Sequence, residues 1–309
     1  MISQFLSTCD KRYQNTQSCD SCDDCSYKDF CPHDCEKCLD FIHTPSHAPD
    51  GAPNRKYDCD RMADFYVCKY TCRYTSEMIY ALRRLKDLSN KQSIKVLSLG
   101  CGPCTDLLAL EYLQAKREYS FANLEYRGID YSEDVWKEIH TNIKSLSPDG
   151  IVAKFYYQDI CDFIDKIGKG AWVPDLVTFQ YFLSDLHKHS ATTAVNNFIK
   201  SFAQFANDHM ASNSYIVMND INLGAGYGGG RDYFDTLYSL LTSCTCRRGR
   251  FCNDNSRSPF YPRGYTYGDD DDGEFPCNKN MFLLSQWTAY SPFDTCASAQ
   301  MLIKKEARG

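Results

Sequence analysis

Apolar residues fall into two rhythms along this chain, and the switches between them predict where strands stop and helices start. "SIKVLSL" at 93–99 is a nearly continuous apolar run closed by Gly100, the pattern of a strand buried on both faces. "TDLLALEYLQAK" comes next with helical spacing after the turn "GCGPC", whose glycines let backbone pass close to a ligand. The alternation repeats. "YRGID" predicts a second strand ending at Asp130, with Ser132 placed to cap a helix, and "AKFYYQD" a third ending at Asp159. "PDLVTFQ" predicts a fourth strand with its tip at Gln180, and "SYIVMND" a fifth after the helix "TTAVNNFIKSFAQFAN". Strands alternating with helices predict an α/β fold, a doubly wound and mostly parallel sheet whose ligand lies at the carboxyl ends of its strands. Ahead of it, residues 57–89 have helical period, with Met78, Ile79, Leu82 and Leu85 on one apolar face.

Before residue 57 neither rhythm holds, and cysteines take over. Ten of the chain's 18 cysteines precede residue 73. The organisation expected is a cysteine-rich metal-binding module at 1–56, a helical connector at 57–92 and a cofactor-binding domain at 93–309 carrying an insertion at 242–280. Pairs two residues apart suit a tetrahedral ion, so Cys22 and Cys25 with Cys35 and Cys38 form one candidate zinc set. Cys19, Cys31, Cys59, Cys68, Cys72 or the histidines His33, His43 and His47 are candidates for a second. So few large apolar residues stand there that bound metal would have to supply the folding free energy. Cys68 and Cys72, one helical turn apart, are either ligands or core. An iron-sulfur cluster is the alternative, because "CPHDCEKC" has the spacing used by radical S-adenosylmethionine enzymes; the residues after it are polar, rich in Pro and Asp, and lack the strand context of those enzymes.

Composition narrows the classes further. At 309 residues, with 43% hydrophobic and 24% charged residues, the chain can bury a full core and global disorder is excluded. A formal charge of −6 gives no general attraction to a phosphate backbone, so a nucleic-acid partner needs a local basic patch. The opening "MISQFLSTCDKRYQ" lacks the long apolar run of a signal peptide, and no stretch has the roughly twenty apolar residues of a membrane span. A soluble, cytoplasmic protein is expected, its cysteines serving metal or redox chemistry.

The glycine turn at 100–102, Asp130 and Asp159 at regular distances after it, and the order of strands resemble the class I S-adenosylmethionine-dependent methyltransferases over roughly residues 75–309. The resemblance implies a seven-stranded sheet ending in an antiparallel hairpin, with "MFLLSQWTAY" and "AQMLIKKE" as its closing strands. It places the methionine part of the cofactor at Gly100, Cys101 and Gly102, the ribose at Asp130, and the adenine at Asp159 and Ile160, with Asp106 and Tyr131 as further cofactor-binding residues. Gln180 and Tyr181 would face the methyl group and acceptor. Cys104 stands where a third glycine is usual and could crowd the helix start.

Acceptor chemistry is less defined. Asp185, His187 and His189 come after strand four and are candidates for taking a proton, with Asn219 and Asp220 at the tip of strand five. "FQYF" lacks the prolines of the DNA-amino methyltransferases and the Pro-Cys of the cytosine-C5 enzymes, which removes those two reactions. In the insertion, Arg247, Arg248, Arg250, Arg257 and Arg263 interleave with Phe251, Phe260, Tyr261, Tyr265 and Tyr267, a mix that binds phosphate while stacking on bases, grips a peptide, or forms a lid. Cys244, Cys246, Cys252 and Cys277 are candidates for a further zinc set. The reading is a methyltransferase acting on a macromolecule, RNA ahead of protein, with a small-molecule acceptor or a non-catalytic scaffold as alternatives. Its oligomeric state is not encoded.

Overall fold

The computed structural model describes residues 1–15, 27–190, 192–250, 284 and 298–307. Among the described residues, three α-helices precede the sheet, α1 (Ile2–Asn15), α2 (Cys35–His43) and α3 (Asp60–Leu82), with a single turn, α4 (Lys86–Ser89), leading into β1. The strands are β1 (Ser93–Leu99), β2 (Asn123–Asp130), β3 (Ile151–Tyr157), β4 (Leu176–Gln180), β5 (Tyr215–Ile221), β6 (Cys244–Arg250) and β7 (Ser298–Lys305). Between them run α5 (Thr105–Ala115), α6 (Glu133–Leu146), α7 (Ile160–Ile167), α8 (Phe182–His189), α9 (Thr192–His209) and α10 (Asp232–Leu240).

The seven strands hydrogen-bond in the order β3-β2-β1-β4-β5-β7-β6. β1 to β5 are parallel, and β7 runs antiparallel to both β5 and β6. This is a doubly wound, Rossmann-like α/β sheet, with the strand order reversing between β1 and β4, where open α/β sheets leave their ligand crevice. Apolar residues pack in two layers. Phe5, Leu6, Val67, Leu108 and Ile139, from α1, α3, α5 and α6, belong to one. Ile164, Leu183, Phe202 and Phe234, from α7, α8, α9 and α10, belong to the other.

The closing hairpin is built differently from expectation. β6 is "CTCRRGR" at 244–250 and not the apolar 281–290, so the long connection expected between strands five and six joins β6 to β7 instead. β6 is an edge strand, where basic residues are tolerated and discourage pairing with another chain. Its Cys244 and Cys246 pack partly against the second layer. Of 281–290, only Leu284 is among the described residues; its N–H donates to Ser76 Oγ at 2.8 Å.

The N-terminal helices join the main body. Arg12 on α1 grips Asp64 on α3 through Nε, at 3.2 and 3.1 Å from the two carboxylate oxygens, and through Nη2 at 2.5 Å, while Phe5 and Leu6 enter the first apolar layer. α2 begins where Asp34 accepts the Glu36 and Lys37 N–H groups, a side-chain N-cap. Its Cys35, Cys38, Leu39 and Ile42 pack with Cys59 and Met62 in a satellite cluster.

Candidate cofactor and acceptor site

The carboxyl ends of the strands bring the predicted residues together. After β1 the chain turns at Gly100 and Gly102, with φ of +65° and +41°. A side chain at Gly100 would stand 2.6 Å from Phe182 Cδ2, so the turn requires glycine for space as well as conformation. Asp130 at the tip of β2 holds this turn: its Oδ2 accepts the Gly102 N–H at 2.9 Å and its Oδ1 accepts the N–H groups of Tyr131 and Ser132. Ser132 therefore stands at the N-cap of α6 without capping through its own side chain. Burial raises the Asp130 pKa above the carboxylate value, and these backbone donors oppose the rise. The Tyr131 ring beside it is 80% exposed.

Asp159, after β3, caps α7 through Oδ1, which accepts the Cys161 and Asp162 N–H groups at 2.8 and 3.1 Å, with Ile160 next to it. Asp106 is turned away under the loop. It is 3% exposed and accepts hydrogen bonds from Tyr126 Oη at 2.9 Å and from the Thr178 hydroxyl, which ties α5 to β2 and β4. Cys104 is fully buried with φ of +57°, so the position expected to crowd the helix start is a left-handed residue where glycine fits more easily. Tyr181, at the start of α8, has φ of +56°, and two strained non-glycine residues thus sit at the tips of β1 and β4.

The other side of the site comes from α3. Tyr66, Tyr70 and Tyr74 recur every fourth residue and lie on one helical face. Tyr70 and Tyr74 stack with centroids 5.2 Å apart, and the Tyr74 ring meets Tyr181 at 4.2 Å. Tyr57 and Trp136 complete the aromatic wall, each about 6 Å from Tyr66 (5.7 and 6.1 Å). Burial raises the pKa values of Tyr57, Tyr66 and Tyr74, so these rings stay protonated. Glu77, fully buried one turn further on, accepts the Tyr181 hydroxyl on both oxygens at 2.9 Å. Gln180 Nε2 donates to the Tyr74 carbonyl at 2.7 Å, while its Oε1 accepts the Thr105 hydroxyl.

Asp185, on α8, lies close enough to Tyr57 and Asp130 to interact with both electrostatically. Its side chain is 43% exposed, and the desolvation that its packed surroundings impose, opposed by Lys188 and reinforced by Asp130, pushes its carboxyl up to about 7. His189 Nε2 is 3.5 Å from Asp185 Oδ1, whereas His187 is engaged elsewhere, its Nδ1 2.6 Å from Tyr233 Oη. Asp220 is buried behind them, accepting the Ser184 N–H at 3.0 Å, and burial pushes it up to about 6. Asn219 is buried too, its carbonyl accepting the Tyr181 N–H at 2.8 Å.

The N-terminal segment reaches this place. His43 Nε2 lies 3.2 Å from Tyr57 Oη, and burial, reinforced by Lys188 and Lys69, lowers its pKa to about 4. A surface groove between α2 and α3, lined by Glu36, Asp40, His43, Lys69 and Tyr70, shares two residues with these contacts. Neither the tyrosines of α3 nor Tyr57 and Glu77 are candidates from sequence, and His43 is a candidate only as a metal ligand, although a tyrosine at every fourth helical position is a readable signal.

The early cysteines divide between clusters. Cys31, Cys35, Cys38 and Cys59 lie in the satellite cluster, where Arg55, 2% exposed and stacked 5.2 Å over the Tyr27 ring, hydrogen-bonds Cys38. Cys68 and Cys72 belong to the first apolar layer, with Cys68 Sγ 3.8 Å from the Leu6 carbonyl. Cys19, Cys22, Cys25, Cys252 and Cys277 lie outside the described residues, as do the arginines and aromatics of 251–267 and the acidic run Asp269–Asp272. Among the described residues, one group gathers three ligand atoms within 4.8 Å of one another: Cys101, Cys104 and His140. Burial raises the Cys104 thiol, but the Cys101 hydrogen bond and the His140 charge outweigh it and bring it to about 7.

No protein-family model matches the chain, and no curated protein does. Among solved structures, it is similar to the plantazolicin methyltransferase BpumL in complex with SAH (17% identity, 88% of this chain and 98% of that one, TM-score 0.45). It is also similar to the O-methyltransferase TomG from Streptomyces achromogenes in complex with SAM (9%, 88% and 89%, TM-score 0.43). Human methyltransferase-like protein 13 in complex with SAH is another (13%, 76% and 83%, TM-score 0.42). No helix among the described residues is long and apolar enough to cross a membrane.

Proposed function

We propose that this chain is an S-adenosylmethionine-dependent methyltransferase. The observation that carries the reading is the Gly100–Gly102 turn held by the Asp130 carboxylate at the point where the sheet order reverses. Those residues fit the cofactor. Gly100 and Gly102 put no side chain between the turn's backbone and the methionine portion, and Asp130, with three of its roughly four acceptor sites used by backbone, keeps capacity for a ribose hydroxyl. Tyr131 offers an open ring face to the adenine, and Asp159 has a second carboxylate oxygen beyond the one that caps α7.

When bound, the cofactor supplies a methyl group on a sulfonium, which asks for in-line approach more than acid-base work. Gln180 and Tyr181, locked by Tyr74 and Glu77, would orient the acceptor, and the tyrosines of α3 with Tyr57 would exclude water. Asp185, poised at about 7, would take a proton from a nucleophile that carries one.

The acceptor proposed is a macromolecule, RNA ahead of protein, supported by the arginine and aromatic residues of 247–267. A small-molecule acceptor is the second reading, favoured by the contiguous ring contacts from Trp136 through Tyr66, Tyr70 and Tyr74 to Tyr181. The test incubates the protein with methyl-labelled S-adenosylmethionine and separate RNA, protein and small-molecule fractions, with Gly102→Asp as the blank. Label in one fraction names the substrate class. Cofactor binding without label in any fraction would favour a scaffold.

A further inference from the structure

We propose that Cys101, Cys104 and His140 form a metal centre for a soft divalent cation, zinc above all, placed in the turn between β1 and α5 and separate from the cysteines of the N-terminal segment. The three side chains come from two places in the chain. Cys101 and Cys104 are ends of one turn closed by the Cys104 N–H donating to the Cys101 carbonyl at 2.8 Å, so both sulfurs point to one centre, and α6 brings His140 to it. All three residues are buried, at 6%, 0% and 1% exposure.

The spacing is that of a coordination polyhedron. Bond lengths of about 2.3 Å to sulfur and 2.0 Å to nitrogen put neighbouring ligand atoms of a tetrahedron about 3.6 Å apart. Cys101 Sγ and His140 Nε2 are 3.7 Å apart, and Cys104 Sγ lies within 4.8 Å of both. Room for the sulfur is built in: a side chain at Gly128 on β2 would stand 2.8 Å from Cys101 Sγ.

His140 is oriented as a metal-bound imidazole requires. Its ring stacks on Phe155 with centroids 4.0 Å apart, and Nδ1 is 2.9 Å from Tyr157 Oη. Tyr157 Oη can accept from Nδ1 as well as donate to it, so on metal binding the proton would pass to Nδ1 and free the Nε2 lone pair for the cation, the outer-shell arrangement that fixes a ligand's tautomer. Without the ion, Nε2 donates to the Gly102 carbonyl at 2.7 Å, a hydrogen bond it would exchange for the cation. Two thiolates and a neutral imidazole carry a charge that a divalent ion cancels, and binding would release the thiol protons. Burial also sets this pair apart from a redox dithiol, whose sulfurs must be reached by an oxidant. Three protein ligands leave one position open, and the ion would pin the glycine turn to α6.

The 309-residue chain, expressed with zinc, is assayed for metal atoms per chain beside Cys104→Ala and His140→Gln, with folding of each checked by circular dichroism. Each variant should hold one atom fewer than wild type, whatever the N-terminal cysteines retain. Loading the metal-free protein with Co2+ should give thiolate-to-cobalt charge transfer and tetrahedral visible bands that both variants weaken. Equal metal content and equal spectra in wild type and variants overturn the proposal, as does a wild type isolated without metal or with a Cys101–Cys104 disulfide. If the variants fail to fold, alkylation of wild type read by peptide mass decides. A chelator should speed modification of Cys101 and Cys104 about tenfold, because the ion shields both sulfurs. An unchanged rate means that burial alone protects them and overturns the site.

Discussion

The strand-tip side of the site and the α3 side meet at Tyr181 and Tyr74, yet they spend their polar groups in opposite ways. On the strand-tip side, carboxylates hold backbone: Asp130 fastens the glycine turn, Asp159 caps a helix and Asp220 anchors the start of α8. On the α3 side, rings hold rings, and the buried Glu77 serves a single tyrosine hydroxyl across the boundary among its partners. The first arrangement builds a rigid cradle whose shape is set by main chain; the second builds a wall whose shape is set by side chains. A substitution on the first side should therefore change what the cradle holds, and one on the second should change what lies against the wall.

The sharpest way to separate the two is Asp185→Asn, which should lower methyl transfer by about 10²-fold or more to an acceptor that must lose a proton, with cofactor affinity unchanged. In wild type the rate should rise through about pH 7 and level above it, a limb the variant lacks. The sign for folding is opposite. The unfolded chain releases this proton near 3.8 and the folded chain only near 7, so stability falls as pH rises across that window and stays lower above it. Asp185→Asn should flatten that part of the curve in urea titrations. Asp130→Ala is next, costing about 100-fold in S-adenosylmethionine affinity by calorimetry, or ~2.8 kcal/mol. Unchanged affinity would sink the cradle assignment.

On the other side, Tyr66→Ala should raise KM for the acceptor about tenfold and leave cofactor affinity within about twofold, since four aromatic contacts are lost and no backbone anchor is. Equal losses of both would erase the contrast between the sides. Tyr181→Phe removes a donor from a buried carboxylate and should cost about 1–3 kcal/mol in denaturant stability. The smallest effect belongs to Cys68→Val. It should change stability by no more than about 1.5 kcal/mol and leave the metal content as it was, because that thiol packs in the apolar layer.

The cradle was legible because its determinants are local. An apolar run ending in glycine, and an acid at the end of the next strand, report the same geometry wherever they occur. The wall was not, because Tyr66, Tyr70 and Tyr74 acquire a role only when the sheet tips arrive beside them, and a stripe of rings on a helix reads equally as packing. β6 was missed for a related reason: "CTCRRGR" has little apolar content, and its pairing depends on β7, far along the chain. Cysteine spacing is no more legible on its own. Closely spaced thiols at 31–72 distribute between two clusters, while Cys101 and Cys104 meet a histidine 36 positions past the second of them.

The place of β7 between β5 and β6 bears on how the molecule is made. During synthesis β5 emerges long before its neighbour, and its outer edge, with every N–H and C=O along that side waiting, stays open until residues 298–305 leave the ribosome. β6 must wait as well, since its ladder partner is that same late strand. A nascent chain stalled short of that point would carry a finished glycine turn on an unfinished sheet. Such a chain is a natural client for a chaperone.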